Sequence, residues 1–197
     1  MQSVSIRQAG IGVALAATAL LAVPALAGGH ATVSPSHPQT TPLTAARTSY
    51  AVRVPNEKGE QNTYKATLFV PTPLQEVISV KQQGDWSVRL KRRDTGKKND
   101  EGEPLYAITS ISWVAKKGSE IKPGFFGEFF IRFQNPVQPG KFCFPINQYY
   151  RAKGFDKLSK RAQRSAKPEL VAWTGPPSAE FPASCITTSA AAAATGH

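Results

Sequence analysis

Residues 49–70 read SYAVRVPNEKGEQNTYKATLFV, and they contain two runs in which apolar and polar side chains alternate. In the first run Tyr50, Val52 and Val54 share one side. In the second run the residues that share one side are Tyr64, Ala66, Leu68 and Val70. A period of two in segments rich in β-branched and aromatic residues is typical of half-buried strands. The stretch therefore predicts two strands, separated at a Pro-Asn step.

Further short runs of the same kind follow along the chain, at residues 77–80, 86–90, 106–114, 125–133, 142–150, 170–173 and 183–187. Many short strands at this spacing predict an all-β fold, a β-sandwich with Greek-key connections. Trp86 and Trp113 lie in alternating runs and are predicted to belong to the core. Glu128 is predicted to face away from its aromatic neighbours or to lie on an edge.

Two segments interrupt this pattern. Residues 91–103 are polar and charged and predict a hairpin loop. A second segment begins at Arg151, ends at Lys167 and holds seven Lys or Arg residues against one acid, Asp156. Residues 156–166 predict a short helix with Asp156 as its N-cap. We expect this basic insertion to decorate the sandwich rather than to build it.

The first 29 residues have the pattern of a secretory signal peptide. Arg7 is the only charge before an apolar stretch at residues 11–23, and Pro24 and several small residues follow. This order predicts a Sec-type signal, and the stretch is short for a membrane span; the alternatives are a buried helix or an uncleaved anchor. We therefore expect an exported protein, periplasmic or extracellular. Its domain would comprise residues 30–188, followed by a disordered Ala-rich tail at residues 189–197.

The two cysteines, Cys143 and Cys185, predict a disulfide, because an even pair in an oxidising compartment is normally oxidised. The alternative, a thiolate metal site, requires reduced thiols and further ligands.

The formal net charge of +11 favours anionic partners, and export argues against nucleic acid as one of them. An anionic membrane or cell-wall surface is the remaining candidate, contacted through residues 151–167. The simpler interpretation is that the charge only keeps the protein soluble.

Histidine is scarce, and two of the three histidines, His30 and His37, lie just after the predicted signal; the third is His197. Cleavage after Gly29 leaves His30 first, and its free amine and ring Nδ1 can then chelate one metal. Cleavage before Gly28 instead leaves Gly-Gly-His, which offers four nitrogens in a square plane. Both sets favour Cu(II), with Ni(II) second. The alternative is that His30 is an ordinary residue near the terminus.

The sequence lacks the residues that a Cu(I) site or a catalytic site of a familiar kind would need. Met1 is the only methionine and leaves with the signal, so paired cysteines would leave no sulfur ligand for Cu(I). A catalytic copper brace of the polysaccharide-oxidising type needs a second histidine from the fold. The domain also has no Gly-x-Ser-x-Gly sequence and no phosphate-binding glycine loop. We therefore expect that the protein is not an enzyme.

Two more residues, Glu57 and Trp173, are candidates for a binding site. Glu57 follows a strand end, where a carboxylate can complete a metal shell, although a solvated turn residue is the ordinary interpretation. Trp173 lies in AWTGP at residues 172–176, and its ordinary interpretation is a core or corner tryptophan. The residues alone leave both choices open.

Several stretches together match one family. They are HATVSP at residues 30–35, VRVPNE at 52–57, ISW at 111–113, IKPGF at 121–125, VAWTGPP at 171–177 and AEFPA at 179–183. The chain resembles the YcnI-like copper-binding proteins of bacterial envelopes in these pieces, in their order and in their spacing. Residues 148–154 depart from the family pattern, and the basic stretch after them looks like an insertion.

The resemblance implies an immunoglobulin-like sandwich that binds one Cu(II). In that family the N-terminal histidine holds the metal through its amine and imidazole, a glutamate completes the site, and a tryptophan packs beside it. The matching residues are His30, Glu57 and Trp173. The implied role is copper homeostasis in the envelope, as a store or as a chaperone for copper-trafficking proteins.

Two functions therefore stand side by side. The first is an exported Cu(II)-binding protein, and a copper titration of a His30→Ala variant tests it. The second is a basic β-sandwich module that binds anionic envelope polymers through residues 151–167. Neutralisation of the lysines and arginines in that segment tests the second.

Overall fold

The computed structural model describes residues 29–37, 42–76 and 78–190. Most of the predicted signal peptide, up to residue 28, and the chain from residue 191 onward lie outside this part. Among the described residues, no helix is long and apolar enough to cross a membrane.

The secondary structure of the described residues is dominated by strands. We number them β1 Thr32–Pro35, β2 Arg47–Pro55, β3 Thr63–Phe69, β4 Ile78–Val80, β5 Trp86–Lys98, β6 Pro104–Ala115, β7 Phe126–Gln134, β8 Gly140–Phe144, β9 Ile146–Tyr150, β10 Glu169–Trp173 and β11 Ser184–Thr188. The same residues include one α-helix, α1 at Lys160–Ser165, and 3-10 turns at Thr72–Leu74 and Phe155–Lys157.

The strands form two sheets and one additional pair. One sheet has the order β1-β2-β7-β4, the other has the order β10-β9-β3-β6-β5, and β11 pairs with β8. The pairing is antiparallel throughout. Neighbours such as β2 and β7 are far apart in the sequence, as Greek-key connections require. The predicted all-β sandwich is confirmed.

The alternation at residues 49–70 places the core where the sequence predicts it. Tyr50, Val52 and Val54 of β2 are completely buried, and so are Ala66 and Leu68 of β3. Because successive side chains point to opposite faces of a strand, one face of each sheet is apolar and the two faces pack together.

Aromatic rings join the two sheets at the centre of the sandwich. Trp113 of β6 is fully buried and stacks on Phe129 of β7 with 4.8 Å between the ring centroids. Trp86 is only half-buried and meets Phe129 edge-on at 5.0 Å. Glu128 points away from Phe129 to the outer face, where it pairs with Arg53 at 2.7 Å.

Two strand predictions need correction. The single run at residues 142–150 is two strands, because the chain breaks at Pro145, so that β8 pairs with β11 while β9 joins β3 and β10. The predicted loop at residues 91–103 is mostly strand, since β5 continues to Lys98 and β6 begins at Pro104. Its polarity misled the prediction because β5 is a sheet edge and is largely exposed beyond Leu90. The sequence also gave no prediction of β1.

The basic segment is not one helix over residues 156–166. A 3-10 turn at Phe155–Lys157 is followed by extended Leu158, with φ −78° and ψ 146°, and only then by α1. The N-cap is Ser159, whose Oγ accepts a hydrogen bond from the N–H of Ala162 at 3.3 Å. The prediction of Asp156 as the cap is wrong because the extended residue separates it from the helix.

The predicted disulfide is present. Cys143 of β8 and Cys185 of β11 lie directly opposite each other and are bonded. The disulfide joins strands that are 42 residues apart in the sequence. It therefore closes a long loop and restricts the unfolded chain.

Candidate metal centre

His30 lies at the entrance to β1, at one end of the four-stranded sheet. Ala31 and Val33, which follow it, are buried in the core. The Oγ of Ser184 accepts a hydrogen bond from the N–H of Val33 at 2.7 Å and donates to its carbonyl at 3.3 Å. The backbone next to His30 is thus held by the fold, while the side chain of His30 remains exposed.

Glu57 lies in the turn after β2, and its neighbour Asn56 holds that turn in place. Asn56 is only 2% exposed, and its Nδ2 donates to the carbonyls of Gln61 at 2.8 Å and Ile121 at 2.7 Å. Its Oδ1 accepts from the N–H of Lys58 at 3.0 Å. Because the residues before and after Glu57 are fixed in this way, its exposed carboxylate leaves the turn from a defined backbone position.

A hydrogen bond joins the N-terminal segment to this turn. The backbone N–H of Gly29 donates to Oε1 of Glu57. A Cβ added at Gly29 would approach the same oxygen to 3.1 Å, so the two groups are in close contact. Since Gly29 directly precedes His30, the carboxylate lies about one peptide unit from the backbone nitrogen of His30.

Trp173 at the end of β10 forms the wall beside His30. The two ring centroids are 5.7 Å apart with an interplanar angle of 56°. Trp173 is 3% exposed and meets the ring of Phe181 edge-on at 5.3 Å. The indole is therefore fixed on one side by packing and presents its other side to the imidazole.

Gln148 connects the tryptophan to the strand that leads to Glu57. This side chain is completely buried, and its Oε1 accepts from Nε1 of Trp173 at 3.0 Å. Its Nε2 donates to the carbonyl of Pro55 at 2.6 Å and to Oγ1 of Thr63 at 2.8 Å. A buried amide with each of its polar atoms bonded stabilises one arrangement of its neighbours. Gln148 thus ties β10, β2 and β3 together under the site.

Charged groups surround the base of the site. Lys58 forms an ion pair with Glu169, and the hydrogen bond from Lys58 lowers the pKa of Glu169. Burial raises the pKa of Tyr150 to about 12; a hydrogen bond with Thr63 opposes the rise, and the charges of Glu57 and Glu169 add to it. Tyr150 is therefore a neutral hydrogen-bonding group at physiological pH.

The donor atoms at this end of the sandwich are few. Within the described residues there is no group of three or more His, Cys, Asp and Glu side chains able to hold a metal ion. The side-chain donors are the imidazole of His30 and the carboxylate of Glu57, with the backbone nitrogen of His30 near both. Removal of the chain up to Gly29 would turn that nitrogen into an amine. Two nitrogens and one oxygen are donors that suit Cu(II).

Three of the predicted residues, His30, Glu57 and Trp173, come from separate segments and meet at this end of the sandwich. His37 does not: it follows β1, where its Nδ1 lies 3.3 Å from Oγ of Ser36. The third histidine, His197, lies outside the described residues.

Sequence reasoning missed Asn56 and Gln148. The signal for Gln148 is that it occupies an inward position between Ile146 and Tyr150, where the alternation predicts an apolar side chain. A buried amide at such a position needs partners, and polar groups that need partners mark special sites.

The family match covers most of the chain. Residues 30–184 match the family described as "Domain of unknown function (DUF1775)". The chain belongs to the DUF1775 family, which includes the YcnI-like proteins. The match of this DUF1775 chain begins at His30, the first residue of the candidate site.

One solved structure supports the fold. The DUF1775 chain is similar to an uncharacterized protein from Nocardia farcinica described as having an immunoglobulin-like fold, with TM-score 0.55 and 22% identity over 81% of this chain and 97% of that chain. A putative membrane anchored protein from Corynebacterium diphtheriae matches with TM-score 0.39 and 9% identity over 82% of this chain and 35% of that one. No curated protein matches the chain. The fold is thus immunoglobulin-like, as the resemblance implies, and the disulfide is typical of an exported protein.

Proposed function

We propose that this DUF1775 protein is exported to the periplasm or the cell exterior, begins at His30 after signal removal, and binds one Cu(II). Its donors are the amine and imidazole of His30 and the carboxylate of Glu57. It stores copper in the envelope or passes it to copper-trafficking proteins there. We assign it no catalytic role.

One observation supports this proposal most strongly. The segment Gly29-His30 lies between the Glu57 carboxylate, which accepts from Gly29, and the Trp173 ring, 5.7 Å from the imidazole. The three residues come from different parts of the sequence, and Asn56 and Gln148 fix the elements that bring two of them there. If Glu57 were only a solvated turn residue and Trp173 only a core residue, neither would need to lie beside the segment that contains His30.

The Gly29 contact also favours one of the two cleavage products. In the Gly28-Gly29-His30 form, a four-nitrogen site requires that the Gly29 amide lose its proton. In the structure that proton is donated to Glu57. A carboxylate stabilises the protonated amide and, as a second negative charge, opposes its ionisation. Cleavage after Gly29 removes the conflict and frees Glu57 to accept the metal.

The chemistry of the donors suits a store or carrier. Nitrogen and oxygen ligands prefer Cu(II), whereas Cu(I) prefers sulfur. Reduction would therefore weaken binding and release the ion to a partner with sulfur ligands. The Trp173 indole shields the site from one side and places an aromatic ring near the cation.

A copper titration tests the proposal. The secreted protein, with its N-terminus confirmed by mass, should bind one Cu(II), and its electron paramagnetic resonance spectrum should report two nitrogen ligands. His30→Ala should weaken binding at least about a hundredfold, since it removes a ligand, and Glu57→Gln about tenfold. His37→Ala is the matched control and should change the affinity less than about twofold. Equal affinities of the His30→Ala variant and the parent protein would refute the proposal.

The second candidate function, binding of anionic polymers through residues 151–167, has narrower support. Arg151 lies between the rings of Tyr64 and Phe155 and bonds to Glu120, so it is already engaged. Lys153 pairs with Glu60 at 2.9 Å. The remaining basic side chains of the segment form no ion pair within the described part of the chain; they are Lys157, Lys160, Arg161, Arg164 and Lys167.

A further inference from the structure

The outer face of the four-stranded sheet carries a row of polar residues that the copper proposal does not use. Ser49 of β2 and Ser79 of β4 are both direct partners of Arg132 in β7. At the end of β1, the N–H of Ser36 donates to the carbonyl of Ser49 at 2.9 Å, which extends the row to a fourth residue. Three serines and one arginine therefore lie in one row across the whole width of the sheet.

This row crosses the floor of a cleft of about 500 Å³, with His37 and Lys81 at its sides. The ammonium of Lys81 lies 4.9 Å from the ring centroid of Phe130, which also lines the cleft. A second cleft of about 280 Å³ shares Ser79 and Arg132 with the first and continues to Arg47. The two clefts form one elongated trough along the sheet.

The charge of the trough is positive and largely uncompensated. Arg47, Lys81 and Arg132 form no ion pair within the described ranges. The one acid in the lining, Glu76, is held by Lys97 at 2.8 Å. Elsewhere on this face Glu128 is paired with Arg53, so that carboxylate does not neutralise the trough either.

We propose that this trough binds the phosphate groups of a phosphate-linked chain. A phosphate group presents more acceptor oxygens than a carboxylate, in a tetrahedral arrangement that a guanidinium, an ammonium and several hydroxyl donors satisfy together. Arg47 and Lys81 line different clefts, and Arg132 lines both, so the cations are spread along the trough and suit successive phosphates better than a single ion. The site lies at the far end of β1 from His30 and is independent of the copper proposal.

Calorimetric titration of the secreted protein with linear inorganic polyphosphate tests the inference. Lys81→Gln/Arg132→Gln should weaken binding roughly tenfold or more and reduce the slope of log affinity against log salt by roughly two, because two phosphate contacts are lost. Arg161→Gln/Arg164→Gln removes the same charge from α1 and should weaken binding less than about twofold. Both double variants should keep the unfolding temperature and the copper affinity of the parent.

Three outcomes would overturn the inference. Equal losses in the two double variants would show that only net charge matters. A loss confined to Arg161→Gln/Arg164→Gln would assign the anion to the basic segment instead. Equally tight binding of polygalacturonate, which carries carboxylates, would show that the trough does not select phosphate. Single inorganic phosphate should bind much more weakly than the polymer, since it fills only one part of the trough.

Discussion

A histidine lies at each end of β1, and the two histidines have different surroundings. At the first end His30 lies over a buried network in which Gln148 bonds to Trp173, Pro55 and Thr63. At the second end His37 lies beside an open face of serines and cations. A site that must hold one small ion needs fixed donors, whereas a surface for an extended anion needs mainly charge and donors.

The largest effect is expected from the disulfide, which holds β11 and, through Ser184, the start of β1. Cys143→Ser/Cys185→Ser should lower the free energy of unfolding by about 3 to 4 kcal/mol, because it reopens a loop closed over 42 residues. Urea unfolding measures this. Lys141→Ala/Thr187→Ala, the exposed pair two positions further along the same two strands, should cost less than about 0.5 kcal/mol. Similar losses in both variants would show that strand pairing, not the cross-link, is responsible.

The next largest effect is expected from the buried amide. Gln148→Leu leaves the Trp173 N–H without its partner and removes one of the two partners of the Thr63 hydroxyl, which costs about 2 to 3 kcal/mol of unfolding free energy. It should also weaken copper binding roughly tenfold, because Trp173 and the strand before Glu57 lose their common anchor.

The matched control for Gln148 is Gln134→Leu, the same change at an exposed position of β7 in the other sheet. It should leave both stability and copper affinity within experimental error. If Gln148→Leu destabilises the protein but keeps full copper affinity, Gln148 is part of the fold and has no role in positioning the site.

A smaller effect is expected at high pH. The pKa of Tyr150 is raised to about 12 in the folded protein, against about 10 in the unfolded chain. A raised folded pKa means that this stabilisation is complete below about pH 10 and is lost as the pH rises toward about 12. Thermal unfolding across this range should show the loss, and Tyr150→Phe should reduce it.

The smallest effect is expected at the strand edge that supports His30. Ser184→Ala removes the partner of the Val33 N–H and should cost about 1 kcal/mol. Hydrogen exchange at Val33 should become faster. Ser87→Ala, an exposed serine of β5, should change neither quantity. Unchanged exchange at Val33 in the Ser184→Ala variant would show that β1 is held by its pairing with β2 alone.

Much of the fold was accessible from the sequence because strand alternation is a local property. The alternation that places Tyr50, Val52 and Val54 on one side predicted their burial without any knowledge of the partner strands. The errors occurred where local polarity and tertiary position disagree. The polar residues of β5 lie on an exposed edge. Pro145 divides one apolar run into β8, which pairs with β11, and β9, which belongs to the five-stranded sheet.

The candidate site was accessible only in part. His30 could be identified because an N-terminal amine and its imidazole form a chelate within one residue. Glu57 and Trp173 were singled out through the family resemblance, since each has a common structural role. Asn56 and Gln148 were missed because their importance lies in hydrogen bonds to residues distant in the sequence.

The sequence by itself therefore determined most of the strands, the pairing of the two cysteines and the chelating potential of His30, because each depends on neighbouring residues or on the chemistry of the compartment. Only the tertiary structure decided that Glu57 bonds to Gly29 while Trp173 lies beside His30, and that Ser36, Ser49, Arg132 and Ser79 form one row. The physical reason is that these contacts follow from which strands pair and in what register. Greek-key pairing joins segments far apart in the chain, and no local pattern encodes that choice.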